Sequence, residues 1–263
     1  AEATEGFNLE DFNAGSYADA VAAKTQAEQI TMVLYPNDQS ENGKTLRLRQ
    51  QYFLASASLQ DILARWVEVH GEEFSAFGEG NCLQLNDTHP TVAIPELMRL
   101  LMDEHGLGWD EAWRVTSESF AYTNHTLLPE ALEVWPVAKF RELLPRIMDI
   151  LFEINARFLG VVADRWPGDT ERERRMSIIE EGAEQRVRMA YLGIVGSFSV
   201  NGVAGLHTRL LTQGLFRDFY KLWPEKFNNK TNGVTPRRWL AYCNPGLRDL
   251  LNTTIGTDWI RDL

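Results

Sequence analysis

Apolar side chains recur at steps of three and four in two long stretches. Over Lys44–Trp66 they are Tyr52, Leu59, Leu63 and Trp66, with Ser56 on the same face and Phe53 and Ile62 widening it. Over Leu144–Trp166 they are Ile147, Ile150, Leu151, Ile154, Phe158 and Val162, and Pro167-Gly168 closes the run. At 3.6 residues per turn this spacing lines one helix face, so both stretches are predicted as long helices facing a core. Shorter helices are predicted over Ser16–Ile30, Ala93–Glu104, Trp109–Ser119, Gln185–Val195 and Val203–Leu211, and in a last segment opened by Asn244-Pro245. Ser16–Ile30 carries only a thin, Ala-rich stripe with Tyr17 and Val21. It is therefore expected to be exposed or to pack on a partner.

Between the helices lie short apolar runs that read as buried strands: Cys82–Leu85, Phe120–Tyr122, the Gly193–Val200 region and the run ending at Phe227. Three of them lead directly into polar stretches rich in Asn, Thr and His. These are Asn86-Asp-Thr-His-Pro90, Thr123-Asn-His-Thr126 and Asn228-Asn-Lys-Thr-Asn-Gly-Val234. Pro129, with Glu130 and Glu133 after it, is read as a helix start, and Thr235-Pro236 as an N-cap and first helical residue. Short strands alternating with longer helices predict an α/β fold, helix-rich, with a Rossmann-like parallel sheet. Parallel strands end on one side, where open α/β sheets place their ligands. His125 and Asn232 are therefore expected to line one polar crevice.

Composition changes this picture little. With 263 residues and 44% hydrophobic side chains, the chain is long enough for a sizeable core. Its 8 Trp, 13 Phe and 7 Tyr suit that core, and some suit stacking on sugars. A net charge of −11 argues against nucleic acid or an anionic membrane as the main partner. No apolar run reaches membrane-spanning length. The two cysteines, Cys82 and Cys243, are read as reduced core thiols. The sequence opens on Ala1 without a signal peptide and reads as a fragment or processed product, with a cytoplasmic location expected. On that reading the Asn-x-Thr triplets at Asn86, Asn124, Asn229 and Asn252 are chance matches.

The candidate chemistry is mostly negative. Asp87, His89 and His125 have metal-ligand side chains, but the spacing is loose and no fourth ligand is evident, so no metal is expected. There is no Gly-x-Ser-x-Gly elbow, no P-loop and no Gly-x-Gly-x-x-Gly fingerprint. What remains is a polar crevice suited to a hydroxyl-rich ligand.

At these residues the chain resembles a known family. Leu34-Tyr-Pro-Asn-Asp38, Gln84-Leu-Asn-Asp-Thr-His-Pro90, Ala121-Tyr-Thr-Asn-His-Thr126, Pro129-Glu-Ala-Leu-Glu133, Val200-Asn-Gly-Val-Ala204 and Lys230-Thr-Asn-Gly-Val-Thr-Pro-Arg-Arg-Trp239 are similar, in order, to the α-glucan phosphorylases. The resemblance implies part of one half of a two-domain GT-B type fold. Residues 1–263 would be a partial N-terminal, glucan-side domain. Within it, residues 1–70 would hold an interface helix, a gate loop and the long helix, and residues 71–263 the units lining the crevice. The implied reaction is phosphorolysis of an α-1,4-glucan or oligosaccharide by phosphate, giving glucose 1-phosphate with retention. The implied cofactor is pyridoxal phosphate, held by a lysine outside this chain, so the chain alone is expected to be inactive.

By the same resemblance, His125 meets the 6-hydroxyl of the reacting glucose, Asn232 holds another hydroxyl and Val203 packs nearby. Asp87 and His89 line the glucan channel, and Thr126 and Glu133 stand near the pocket wall. Asn37, Asp38 and Gln39 form the gate loop, and Tyr17 to Ile30 contacts the second subunit of a homodimer. A free-standing glucan-binding or structural module is the competing reading. A metal hydrolase is a remote third.

Overall fold

The computed structural model describes residues 1–262. Its strands are short: β1 (Leu83–Asn86), β2 (Phe120–Thr123), β3 (Val134–Pro136), β4 (Ile179–Glu180), β5 (Arg186–Arg188), β6 (Ser199–Gly202) and β7 (Phe227–Asn229). The helices begin with α1 (Leu9–Asn13), α2 (Ala22–Met32), the 30-residue α3 (Glu41–His70), α4 (Phe77–Gly80), α5 (Ala93–Arg99) and α6 (Trp109–Ser119). They continue with α7 (Val137–Leu143), the 21-residue α8 (Pro145–Arg165), α9 (Thr170–Met176), α10 (Met189–Val195), α11 (Gly205–Leu210), α12 (Arg217–Leu222) and α13 (Pro245–Ile255). Among the described residues no helix is long and apolar enough to cross a membrane.

The two long periodic stretches are α3 and α8. Each buries the face its sequence marks: Leu48, Ala55, Leu59 and Leu63 on α3, and Ile147, Ile150, Leu151, Ile154, Phe158 and Val162 on α8. Ser40 caps α3 by accepting the Gly43 N–H, and Pro145 opens α8. Both helices pack on α5, which buries Ala93, Ile94, Leu97 and Met98 against them. Glu96 of the same helix is fully buried, and Tyr52, Ser56 and Arg99 satisfy its carboxylate.

The main sheet has the order β1-β2-β6-β7, with every pairing parallel. Its interior is apolar: Phe120, Ala121, Tyr122 and Val200 are buried. Because all four strands run the same way, their C-terminal ends form one row. The register pairs Asn86 with Thr123, Thr123 with Asn201, and Gly202 with Asn229. Close packing behind the sheet uses glycine. A Cβ on Gly193 would sit 3.2 Å from both Thr91 and Tyr122 side-chain atoms.

Four expectations need correcting. Pro129 does not start an α-helix. It opens a single 3-10 turn, Pro129–Ala131, and the chain then enters β3. Here Val134 pairs with Arg188 and Trp135 with Val187, and the Glu133 carbonyl accepts the Met189 N–H. Those tertiary bonds outweigh a local helix-start signal too short to nucleate on its own. Gln185–Val195 is helical only from Met189, because Arg186–Arg188 is β5, central in a small antiparallel sheet of order β3-β5-β4. Gly193–Val195 belongs to α10, and the strand begins at Ser199. Finally, Cys82 and Cys243 are both exposed, not core thiols. Cys82 lies just ahead of β1, the strand at the sheet's edge, where nothing pairs over it.

Ser16–Ile30 also differs in detail. A 3-10 turn, Asp19–Val21, precedes α2, and α2 buries no residue. Tyr17 is 63% exposed and Val21 40%.

Candidate functional site

The row of strand ends holds most of the polar residues singled out by sequence. A relay crosses it. Gln84 donates its amide to the Thr123 hydroxyl at 2.8 Å, and that hydroxyl donates to Asn201 Oδ1 at 2.7 Å. Asn201 in turn donates to the Gly202 carbonyl at 3.0 Å. Main-chain bonds stitch the turns beyond the strands. Asp87 N–H donates to the Thr123 carbonyl and Asn124 N–H to the Asn201 carbonyl, both at 3.0 Å. Lys230 N–H donates to the Gly202 carbonyl at 3.1 Å, and Asn232 N–H to the Val203 carbonyl at 2.9 Å.

His125 follows β2 and is exposed on this edge. Its Nε2 bonds to Asn86 Oδ1 at the end of β1. A carbonyl oxygen can only accept, so in the neutral ring Nε2 carries the proton and Nδ1 is left as an acceptor. Asn124 beneath it is fully buried, donates to the Tyr122 hydroxyl and accepts the Thr126 N–H, which holds the turn rigid under the imidazole. Asn232 stands at the end of the β7 turn, exposed, two strands away from His125, with Val203 of the intervening β6 turn tied to it. The two residues thus share one edge, and Val203 on the intervening turn holds the Asn232 side of it.

Asp87 has a positive φ of 66°, a conformation that Asp tolerates better than most residues, and its carboxylate accepts the following Thr88 N–H at 2.9 Å. His89 stacks edge-on to Tyr35, with ring centres 6.3 Å apart. His89 and Tyr35 help line a cavity of about 420 Å³ between α3 and the free edge of β1, together with Arg47, Gln51, Gln84 and Asn86.

Glu133 is engaged by the protein. Its Oε1 accepts Gln51 at 2.9 Å and the Trp135 indole at 2.7 Å, and its Oε2 accepts the Thr88 hydroxyl at 3.2 Å. It clasps α3, β3 and the Asp87–His89 turn together.

The Asn37–Gln39 loop is held on the N-terminal end of α3. Asn37 Oδ1 accepts the Gln39 N–H at 3.0 Å, an Asx-turn, and Asp38 pairs with Arg47 at 2.6 Å. The Arg47 guanidinium lies over Tyr35, which has a φ of 56°.

Two lysines bear on what else the chain can hold. Lys226 is largely buried, and burial pushes its amine down to about 8. It lies just ahead of β7, at the opposite end of the sheet from the crevice. Its ammonium faces the Ile194 and Val195 carbonyls and sits 4.0 Å over Trp223. Lys230, at the crevice edge, is bonded to Asn228. Among the described residues no group of three or more His, Cys, Asp and Glu is gathered as a metal site.

His207, Asn201 and Gln51 were not singled out by sequence. His207 and Gln51 lie in helical stretches whose periodicity speaks only of packing, and Asn201 stands inside a quoted motif without a role of its own. Arg47 was missed for the same reason as Gln51. Only the pairing of distant segments gives these side chains a place at the site.

The carbohydrate phosphorylase family model matches residues 1–263. Among curated proteins the chain is similar to muscle glycogen phosphorylase of Bos taurus, at 53% identity over 270 aligned residues, covering 100% of this chain. The muscle form of Mus musculus is 54% identical and the brain form of Bos taurus 52%, over the same extent. The chain spans 32% of the length of each of these relatives.

Proposed function

Because the chain belongs to the carbohydrate phosphorylase family, we propose that it is the glucan-facing side of an α-glucan phosphorylase. The full-length protein would cleave an α-1,4-glucan with phosphate and release glucose 1-phosphate with retention. The chain would be part of one half of a GT-B type fold, residues 1–263 of its glucan-side domain. Residues 1–70 would carry the interface helix, gate loop and α3, and residues 71–263 the units of the crevice.

In this reading His125 binds the 6-hydroxyl of the reacting glucosyl unit through the Nδ1 acceptor that the Asn86 bond leaves open. Asn232 holds a second hydroxyl from the neighbouring turn, and Val203 packs against the ring between them. Asp87 and His89 flank the path of the glucan chain, where the 420 Å³ cavity gives it room beside Tyr35. Thr126 and Glu133 shape the wall, Glu133 as the clasp of three elements. Asn37, Asp38 and Gln39 gate the entrance, steadied by Arg47. Tyr17 to Ile30 meets a second subunit, a role suited to a segment whose helix buries nothing in its own chain.

Pyridoxal phosphate is the cofactor that this family reading implies, and it supplies acid–base chemistry from its phosphate when bound. The lysines described do not fit it: Lys226 sits at the wrong end of the sheet and Lys230 is bonded to Asn228. On the family reading the cofactor and its lysine sit on the remainder of the protein.

The observation that supports this reading most is the placement of His125 and Asn232 on one sheet edge, His125 bonded to Asn86 and Asn232 to the Val203 carbonyl. The test is His125→Ala and Asn232→Ala in the full-length protein. Each lost hydrogen bond to a neutral hydroxyl is expected to cost about 0.5–1.5 kcal/mol. That corresponds to a roughly two- to twelve-fold fall in kcat/KM for glucan phosphorolysis, with little change in melting temperature because both side chains are exposed. Normal kinetics with a lowered melting temperature would mean that both residues only secure their turns.

A further inference from the structure

We infer that His207 is a positioning residue of this crevice, setting the separation between His125 and Asn232 from behind. The inference rests on the reading that those two residues hold one glucosyl unit. His207 is on α11, outside the polar turns, and its Nε2 is closed off from solvent. Its Nδ1 accepts the Val203 N–H at 3.1 Å. The Val203 carbonyl takes the Asn232 N–H at 2.9 Å. Val203 is thus held by the imidazole through its N–H while its carbonyl places Asn232.

The opposite side of the ring faces the other half of the site. With Nδ1 accepting, the proton is on Nε2, which is buried and faces the Thr126 main chain. The Thr126 main chain and the His125 ring stand beside it, and burial lowers the His207 basicity. One rigid ring is wedged between the β2 turn and the β6 turn.

The fit is close. A Cβ added at Gly202 would stand 2.7 Å from His207 Nδ1 and 2.5 Å from Thr208 Oγ1. Thr208, the next residue, grips Asn229 Oδ1 at 2.9 Å. The first turn of α11 therefore holds the ends of both β6 and β7, and glycine at 202 is what admits it. A shift of the ring would move the Val203 peptide, and with it the spacing of the two sugar-facing side chains. Catalysis is sensitive to such small displacements of a bound ring.

The experiment compares His207→Leu, which fills the space without an acceptor, with His207→Asn, whose amide oxygen can take the Nδ1 role, in the full-length protein. The readout is the ratio of glucan-synthesis rates with glucose 1-phosphate and with its 6-deoxy analogue, beside the melting temperature. His207→Leu is expected to lower this ratio by roughly five- to ten-fold, and His207→Asn to restore most of it. His125→Ala, run alongside, should lower the ratio too.

An unchanged ratio in His207→Leu, with the ratio lowered in His125→Ala, overturns the role of His207 and leaves the site reading intact. An unchanged ratio in His125→Ala overturns the site reading itself and this inference with it. Equal damage from Leu and Asn, confined to melting temperature, also overturns it by reducing His207 to packing. Should His207→Leu fail to fold, His207→Gln keeps the volume and a polar end, and the same ratio decides.

Discussion

Arg99 donates two guanidinium N–H groups to the Glu96 carboxylate, at 2.8 and 2.9 Å, from three residues further along the helix, where Glu96 has no exposure to solvent. The same carboxylate accepts the Ser56 and Tyr52 hydroxyls of α3, at 2.6 and 3.0 Å. Two helices are joined through one buried charge, and every oxygen of it is used. The pairing raises the basicity of Arg99, and burial pushes the Tyr52 phenol up. Removing the carboxylate leaves the Ser56 and Tyr52 hydroxyls unpaired while Arg99 keeps Glu104, so Glu96→Ala should destabilise by about 3 kcal/mol. Tyr52→Phe deletes one hydroxyl and should cost about 1 kcal/mol. Denaturant midpoints of the two variants measure the difference, and comparable small losses would show the network to be loose.

Gly43→Ala should reverse the usual sign of that substitution. Inside a helix, Ala for Gly normally stabilises by about 1 kcal/mol. Here the added Cβ would stand 1.8 Å from the Asn37 carbonyl oxygen, which is main chain and cannot swing away. The loop Asn37–Gln39 must move off the end of α3, at a cost of about 1–3 kcal/mol. Faster hydrogen exchange confined to residues 35–40, with a net loss of stability, is the expected result. A net gain would mean that the loop does not pack where it is seen.

Lys226 predicts a particular pH dependence. Its amine is held at about 8 when folded, against an ordinary value of 10.5. The unfolded chain therefore binds more protons between those values, and stability from this group rises as pH climbs from 8 to 10.5. The full span is on the order of 3 kcal/mol. Below pH 8 the penalty for burying the charge is constant. Lys226→Met should remove this rise, read as the difference in unfolding free energy between the two proteins across that range. A flat difference would place the amine in water.

The purified 263-residue chain should make no glucose 1-phosphate from glucan, phosphate and added pyridoxal phosphate. Its polar edge offers hydroxyl-binding groups, but stabilising a transferred phosphoryl or glycosyl charge calls for donors on the facing side as well. Product above the blank would show that these residues carry more of the chemistry than the geometry assigns to them.

Much of the fold was legible in local pattern. The faces of α3 and α8 follow from spacing alone, because a helix burying a stripe must repeat it every three or four residues. The parallel sheet followed from short apolar runs separated by helices, and the row of polar strand ends from the polar residues after each run. The family followed from six motifs in order, and the match over residues 1–263 agrees. Local pattern misled where a segment's conformation depends on a distant partner. Pro129 and Glu130 signal a helix, yet Trp135 docks beside Val187, 52 residues on, and the segment becomes a strand. Cys82 looked buried because the run it opens is apolar, and only the strand order puts that run at an edge.

The sequence by itself determined which residues are polar at the strand ends, since those positions lie next to apolar runs and can be read one stretch at a time. Tertiary structure alone decided how they are held. Gln51 reaches Glu133 across 82 residues, Thr123 reaches Asn201 across 78, and the imidazole of His207 fits beneath the turn that Gly202 opens. Helical and strand periodicity report which face is buried, not which neighbour the face will meet. The bonds that orient a side chain join segments far apart along the chain, and their geometry exists only once the sheet has set its strands in register.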